Sequence, residues 1–167
     1  GTNDLHTHSI SSHAWTDLSP ISTGSPPGAR SEHAMAVWKG VLYVFGGTHG
    51  RGKDVVFYYD LHTYFISGRA WADFSLPSSG IAPKGRKRHT MEAWEGTLYV
   101  FGGIAHGGEW RNDLHAYDVA SGAWTDLSLP LSGSAPPGKY SHPMAVWEGV
   151  LYVHGCIRTT TDYGVRT

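Results

Sequence analysis

An all-β fold of repeated four-stranded sheets is predicted by three features: a Gly and Pro density that breaks helices, aromatic-rich runs of strand length, and an internal repeat slightly longer than fifty residues. The 22 Gly and 9 Pro lie in a chain of 167 residues. In a helix interior they cost about 1 and 3 kcal/mol each relative to Ala. Aromatic residues reach 13% and charged residues only 16%, against roughly 25% charged in an average globular chain. That balance suits many short strands joined by tight turns.

The formal net charge of -1 supplies no long-range field to gather nucleic acid or an anionic membrane, so neither is expected as a partner. The one basic run, Lys84 to Arg88, is local. Cys156 is the sole cysteine, which excludes an intrachain disulfide and a multi-cysteine zinc site. No apolar stretch approaches the ~20 residues needed to cross a bilayer as a helix.

The repeat is strict. The tripeptide Asp-Leu-His begins at Asp4, Asp60 and Asp113, at spacings of 56 and 53. Eleven residues after each Asp stands a Trp (Trp15, Trp71, Trp124), and eighteen residues after each Trp stands a His (His33, His89, His142). Each copy then reads Met, Trp, Gly and Leu-Tyr-Val, as in Met35, Trp38, Gly40 and Leu42-Tyr43-Val44. The first two runs close in Phe-Gly-Gly and the third in His154-Gly155-Cys156. From Gly47 to Asp60 is 13 residues and from Gly103 to Asp113 is 10, so one loop accounts for the whole difference in spacing.

A period of this length, with a glycine pair closing an aromatic strand and a Trp downstream, resembles the kelch repeat, which builds β-propeller blades. The resemblance implies an all-β, partial kelch-type β-propeller. Within one repeat the first strand falls at about residues 33–38, the Lys39-Gly40 turn leads to a second at 41–45, a third spans about 60–66, and Gly68 precedes a fourth at 70–75. Residues 41–45 do not alternate, as expected of a strand covered on both faces by neighbouring sheets. The six repeat-matched Trp residues, at 15, 71, 124, 38, 94 and 147, are expected in the core between blades.

By this parse the chain holds two complete four-stranded blades, at 33–75 and 89–128, plus a half blade at each end, at 3–19 and 142–155. The halves are complementary, and together they make a third blade where propellers need roughly four to eight. The chain therefore reads as a fragment of a longer propeller, with self-association of two chains to complete a six-bladed ring as the alternative.

Six of the eleven His occupy two repeat positions (6, 62, 115 and 33, 89, 142), which argues for architecture over a metal site. His6 and His8 share one strand face, but Tyr64 and Tyr117 replace His8 in the other copies. Residues 47–54 nearly spell a phosphate-binding loop; Asp54, however, stands where a hydroxyl must meet Mg²⁺, and residues 55–59 read as extended where a helix is required. The kelch resemblance carries two enzymatic alternatives. A galactose oxidase type implies copper, His ligands and a Tyr cross-linked to a Cys, for which Cys156 is the candidate. A specifier-protein type implies iron held by Glu, Asp and His spaced by four; Glu109 and Asp113 match, but Tyr117 stands in the place of the His. Neither catalytic residues, nor a metal, nor a cofactor is expected.

Antiparallel order places the loop after the second strand and the connection to the next blade on one side, the long-loop face, made of residues 19–32, 46–59, 76–88, 102–112 and 129–141. Loops on a rigid scaffold are where binding residues concentrate, and residues that do not recur between repeats are the ones the scaffold does not explain. Trp110, the Trp outside the repeat frame, leads these candidates. Glu109, Arg111, His106, His49, Arg51 and Lys53 join it from the loops after the second strand, and Lys84, Arg86, Lys87 and Arg88 from a long connection. Clustered Arg and Lys suit an acidic or phosphorylated peptide. Arg86 also aligns with Arg30 and Lys139, which leaves a structural role open for it. The expected function is a non-catalytic protein–protein interaction scaffold.

Overall fold

A computed structural model of the chain describes residues 2–75, 79–128 and 133–155. Its regular structure is all-β, with three short 3-10 turns. Cys156 lies outside the described residues.

Two sheets carry the architecture. The first runs outward from Ala34–Trp38 through Val41–Phe45 and Leu61–Phe65 to Ala70–Asp73, and the second from Thr90–Trp94 through Thr97–Phe101 and Leu114–Asp118 to Ala123–Asp126. These eight strands pair antiparallel. An N-terminal hairpin, His6–Ser9 with Ala14–Asp17, and a C-terminal one, Met144–Trp147 with Val150–Val153, flank them. The first two strands of each unit are joined by two-residue turns, Lys39-Gly40, Glu95-Gly96 and Glu148-Gly149, with both residues at positive φ. That geometry matches the right-handed twist of the strands it connects.

Each large sheet has a fifth strand that the repeat pattern does not announce. The connection entering the sheet runs parallel to its outer edge, pairing Thr23 with Ala70 and Gly24 with Trp71, and likewise Ser79 with Ala123 and Gly80 with Trp124. Glycine is required here: at φ of +82° and +85°, a Cβ on Gly24 or Gly80 would stand 2.0 or 1.9 Å from the carbonyl oxygen of Trp71 or Trp124.

The core lies between sheets. Tyr43, Phe45 and Leu61 of the first sheet pack with Met91, Leu98, Val100, Tyr117 and Trp124 of the second. Val44, Tyr64 and Trp71 pack on the opposite side of the first sheet, where Leu5 and Leu18 of the N-terminal unit cover them. Strand Val41–Phe45 is therefore covered on both faces, which is why it does not alternate. Burying a large apolar side chain of this kind contributes roughly 1.5–3 kcal/mol.

The six Trp residues do not share one environment, contrary to the expectation that all are core. Trp71 and Trp124 are buried and Trp38 and Trp94 half-buried, but Trp15 and Trp147 are 73% and 66% exposed. A Trp here is buried by the adjacent sheet, and the outward faces of the two hairpins have no such sheet among the described residues.

The recurring His is also explained by stacking. His89 meets Phe45 edge-on with ring centroids 5.5 Å apart, and His142 meets Phe101 in the same way at 5.3 Å. Both rings press on the glycine pair of the preceding sheet, where a Cβ on Gly46 or Gly102 would come within 2.8 or 2.9 Å of imidazole Cε1.

Candidate interaction site on the long-loop face

A buried arginine fixes this face. Arg86 is fully buried, although it sits in a basic run. Its guanidinium donates to both carboxylate oxygens of Asp113 at 2.7 and 2.8 Å, to the Gly102 carbonyl at 2.9 Å and to the Lys84 carbonyl at 3.1 Å. Arg30 makes the same set of bonds to Asp60, Gly46 and Gly28. His62 and His115 also reach these Asp carboxylates, through Nε2 to Oδ2 at 3.0 and 3.2 Å. Burial pushes both Asp carboxyls up, but the hydrogen bonds from Arg and His outweigh it and hold them well below the ordinary carboxylate range. In the copies that begin at Asp60 and Asp113, the Asp-Leu-His motif is thus the receptor for an Arg from the incoming connection. Arg86 has no surface to offer a ligand, and the structure removes it from the candidate site.

The rest of the basic run is largely neutralised. Lys87 pairs with Glu32 at 2.9 Å and Arg88 pairs with the same carboxylate. Burial raises the Glu32 carboxyl, but its bonds from Lys87 and Arg88 bring it below the usual value. Lys84 is exposed and carries no ion pair among the described residues. A multiply charged acidic peptide therefore finds fewer free cations than the sequence suggests.

The two loops that follow the second strands are built alike. In the first, Thr48–His49 pairs with Val56–Phe57 around the 3-10 turn Gly52–Asp54. In the second, Ile104 bridges to Trp110 around the turn His106–Gly108. Trp110 thereby takes the place that Phe57 has in the first loop. A Cβ on Gly85 would stand 2.6 Å from the Phe57 carbonyl oxygen, and one on Gly138 would stand 2.7 Å from that of Trp110. Trp110 is half-buried with its ring 5.3 Å from Tyr140. It has a structural counterpart after all, hidden in the sequence by the three-residue difference in loop length.

Between these loops lies an open cleft of about 440 Å³. Val55, Val56 and Phe57 form an apolar wall, Gly85 and Ala105 also line it, and Lys84, His106, Glu109 and Arg111 supply its polar groups. The His106 ring meets Phe57 edge-on at 5.8 Å, and Arg111 pairs with Glu109 at 3.0 Å. Four of the sequence candidates thus meet in one cleft. His49, Arg51 and Lys53 are exposed on the adjoining loop outside it, while Lys87, Arg88 and Trp110 turn to Glu32 and Tyr140. The apolar wall and Glu32 are the residues that charge-based reasoning passed over; the run of residues 55–59, read as extended, was the available signal.

The specifier-type iron set does not assemble. Arg86 occupies both Asp113 oxygens, Glu109 is paired with Arg111, and Tyr117 is buried against Trp124 with ring centroids 5.0 Å apart.

Residues 1–164 match a sequence profile described as the KLHDC2/KLHL20/DRC7 Kelch-repeats domain. The chain belongs to the kelch-repeat family. Among curated kelch relatives it is 28% identical over 161 residues to human Kelch domain-containing protein 3, covering 92% of this chain and 40% of that protein. It is 29% identical over 165 residues to human Kelch domain-containing protein 10, covering 96% of this chain and 33% of that one. It is also 32% identical over 172 residues to the N-(sulfonatooxy)prop-2-enimidothioate sulfolyase of Thlaspi arvense, covering 99% of this chain and 47% of the relative. The chain spans under half the length of each of these relatives. Kelch membership supports a protein-interaction scaffold, and the Thlaspi arvense relative carries the name of an enzyme.

Proposed function

We propose that this kelch chain is a non-catalytic scaffold that holds a segment of a partner protein in the cleft between residues 55–57 and 106–111. The observation that carries this reading is an apolar wall, Val55 to Phe57, lining the same opening as Lys84, which is exposed and has no ion pair among the described residues. A recognition pocket commonly combines apolar lining with a few placed polar groups. The complementary segment presents an apolar side chain to Phe57 and a carboxylate to Lys84, with His106 and Arg111 setting its direction. This is a narrower demand than a highly acidic or phosphorylated peptide.

Affinity capture from cell extract with the wild-type chain, and with a variant carrying Phe57→Ser, Lys84→Glu and Arg111→Glu, tests the assignment. A protein held by the wild type and lost from the folded triple variant supports it. The same captured set from both chains contradicts it.

A further inference from the structure

The apolar wall of the cleft is the outer edge of a hairpin. Thr48–His49 pairs antiparallel with Val56–Phe57, Thr48 opposite Phe57 and His49 opposite Val56. The Tyr58 N–H donates to the Gly47 carbonyl at 2.9 Å, which makes Tyr58 with Gly47 and Val56 with His49 the hydrogen-bonded positions of this pair. Bonded and non-bonded positions alternate along an antiparallel pair. Val55 and Phe57 therefore turn their backbone groups outward, away from Thr48–His49.

On that outward side runs the connection that carries Lys84. The Phe57 carbonyl backs onto Gly85, where a Cβ would stand 2.6 Å from the oxygen. One residue later the connection is bonded to the hairpin, the Arg86 N–H donating to the Tyr58 carbonyl at 3.2 Å. Ahead of Gly85 no backbone bond joins the two among the described residues. The Phe57 N–H and the Val55 carbonyl are left without a hydrogen bond among those residues, and both Val55 and Phe57 line the cleft. Residues 79–88 and 104–111, which flank this edge, are all described. A free donor and a free acceptor two residues apart on a strand edge are the groups to which a further strand bonds.

We propose that the partner segment is extended and adds to this edge as a parallel strand, an inference that rests on the cleft being the recognition site. One residue of the segment donates its N–H to the Val55 carbonyl and accepts from the Phe57 N–H, the pattern of a parallel pair centred on Val56. Antiparallel addition needs the Phe57 carbonyl as well, and Gly85 stands against it. The next residue of the segment lies beside Phe57, where its side chain meets the apolar wall. Lys84, exposed and without an ion pair among the described residues, draws a carboxylate carried by the segment. The backbone bonds hold any extended chain, and Phe57 and Lys84 select which one.

Random linear peptides displayed on phage are the probe, selected on the wild-type chain and counter-selected on the variant carrying Phe57→Ser, Lys84→Glu and Arg111→Glu. Should that variant not fold, Lys84→Glu alone, at an exposed position, takes its place. Each selected peptide is then synthesised with one N-methylated residue at a time. Methylation of one residue is expected to weaken binding roughly tenfold or more, because it removes the N–H that meets Val55, while methylation of either neighbour leaves binding intact. A nitroxide on the N-terminal end of the bound peptide should broaden the amide signals of Gly52–Asp54, and one on the C-terminal end those of Tyr58 and Tyr59. Peptides that need the cleft but tolerate methylation at every residue overturn strand addition and leave the cleft as the recognition site. The reversed broadening pattern overturns the parallel strand. A selection that yields no peptide able to tell the wild type from the variant overturns both the strand and the cleft.

Discussion

Arg86 and Asp113 form a two-pronged ion pair that joins the incoming connection to the third strand of the second sheet, with the arginine wholly excluded from water. Removing one member of such a pair leaves the other charge buried and unmatched. Arg86→Met is therefore expected to lower stability by roughly 3–5 kcal/mol. Urea unfolding followed by Trp fluorescence measures this, and a loss below about 1 kcal/mol contradicts the clamp.

Acid sensitivity follows from two groups, buried histidines and half-buried aspartates. Burial pushes the His89 imidazole down to about 3, with the Arg86 charge adding to the effect, and pushes His142 down to about 4 alongside Lys139. An unfolded His takes up its proton near pH 6.5. Over the interval from there down to about pH 4 the unfolded chain binds more protons than the folded one, and stability falls as pH falls. Each such His contributes a slope of up to about 1.4 kcal/mol per pH unit. Asp60 and Asp113 act lower. Their stabilisation is complete above the unfolded carboxylate value near 4 and is lost beneath it. Unfolding midpoints of wild type and His89→Leu between pH 7.5 and 4.5 should show a flatter slope in the variant; parallel slopes contradict the assignment.

Gly46→Ala strikes the contact between sheets. Its φ is +67°, and the added Cβ meets the Arg86 carbonyl oxygen at 2.9 Å as well as the His89 ring. A destabilisation of roughly 1–3 kcal/mol is expected. Gly52, also at positive φ but with nothing within 4 Å, is the control for backbone strain alone, and Gly52→Ala should cost less. Equal losses at the two positions contradict steric contact as the cause.

Trp110→Ala and Lys84→Glu separate packing from recognition. Trp110 meets Tyr140 edge-on, so its truncation should lower the unfolding midpoint measurably. Lys84 is exposed, and its replacement should change stability by no more than about 0.5 kcal/mol. If Trp110→Ala leaves stability untouched, the ring is free for a ligand and its structural reading is wrong.

The strands that build the sheets were legible because their signals are periodic. Val41–Phe45 was placed at its observed bounds from an unbroken apolar run next to a glycine pair. The parallel fifth strand was not, since two residues such as Thr23–Gly24 carry no period and owe their place to a glycine that lets the backbone pass Trp71. Burial of Arg86 was hidden in a basic run, because a charge is read as exposed until its carboxylate, 27 residues away, is known. Loop length masked the match of Trp110 to Phe57. The cleft came half into view: its polar residues stood out as non-recurrent, while Val55 and Phe57 looked like scaffold.

Everything rests on sheets formed by pairing the second strand of each repeat with its third, Tyr43 opposite Thr63 and Tyr99 opposite Ala116. Residue-resolved amide exchange in the native state tests this most directly. The slowest amides are predicted in Val41–Phe45, Leu61–Phe65, Thr97–Phe101 and Leu114–Asp118, exchanging near the global unfolding limit. Fast exchange throughout those four strands would contradict the account.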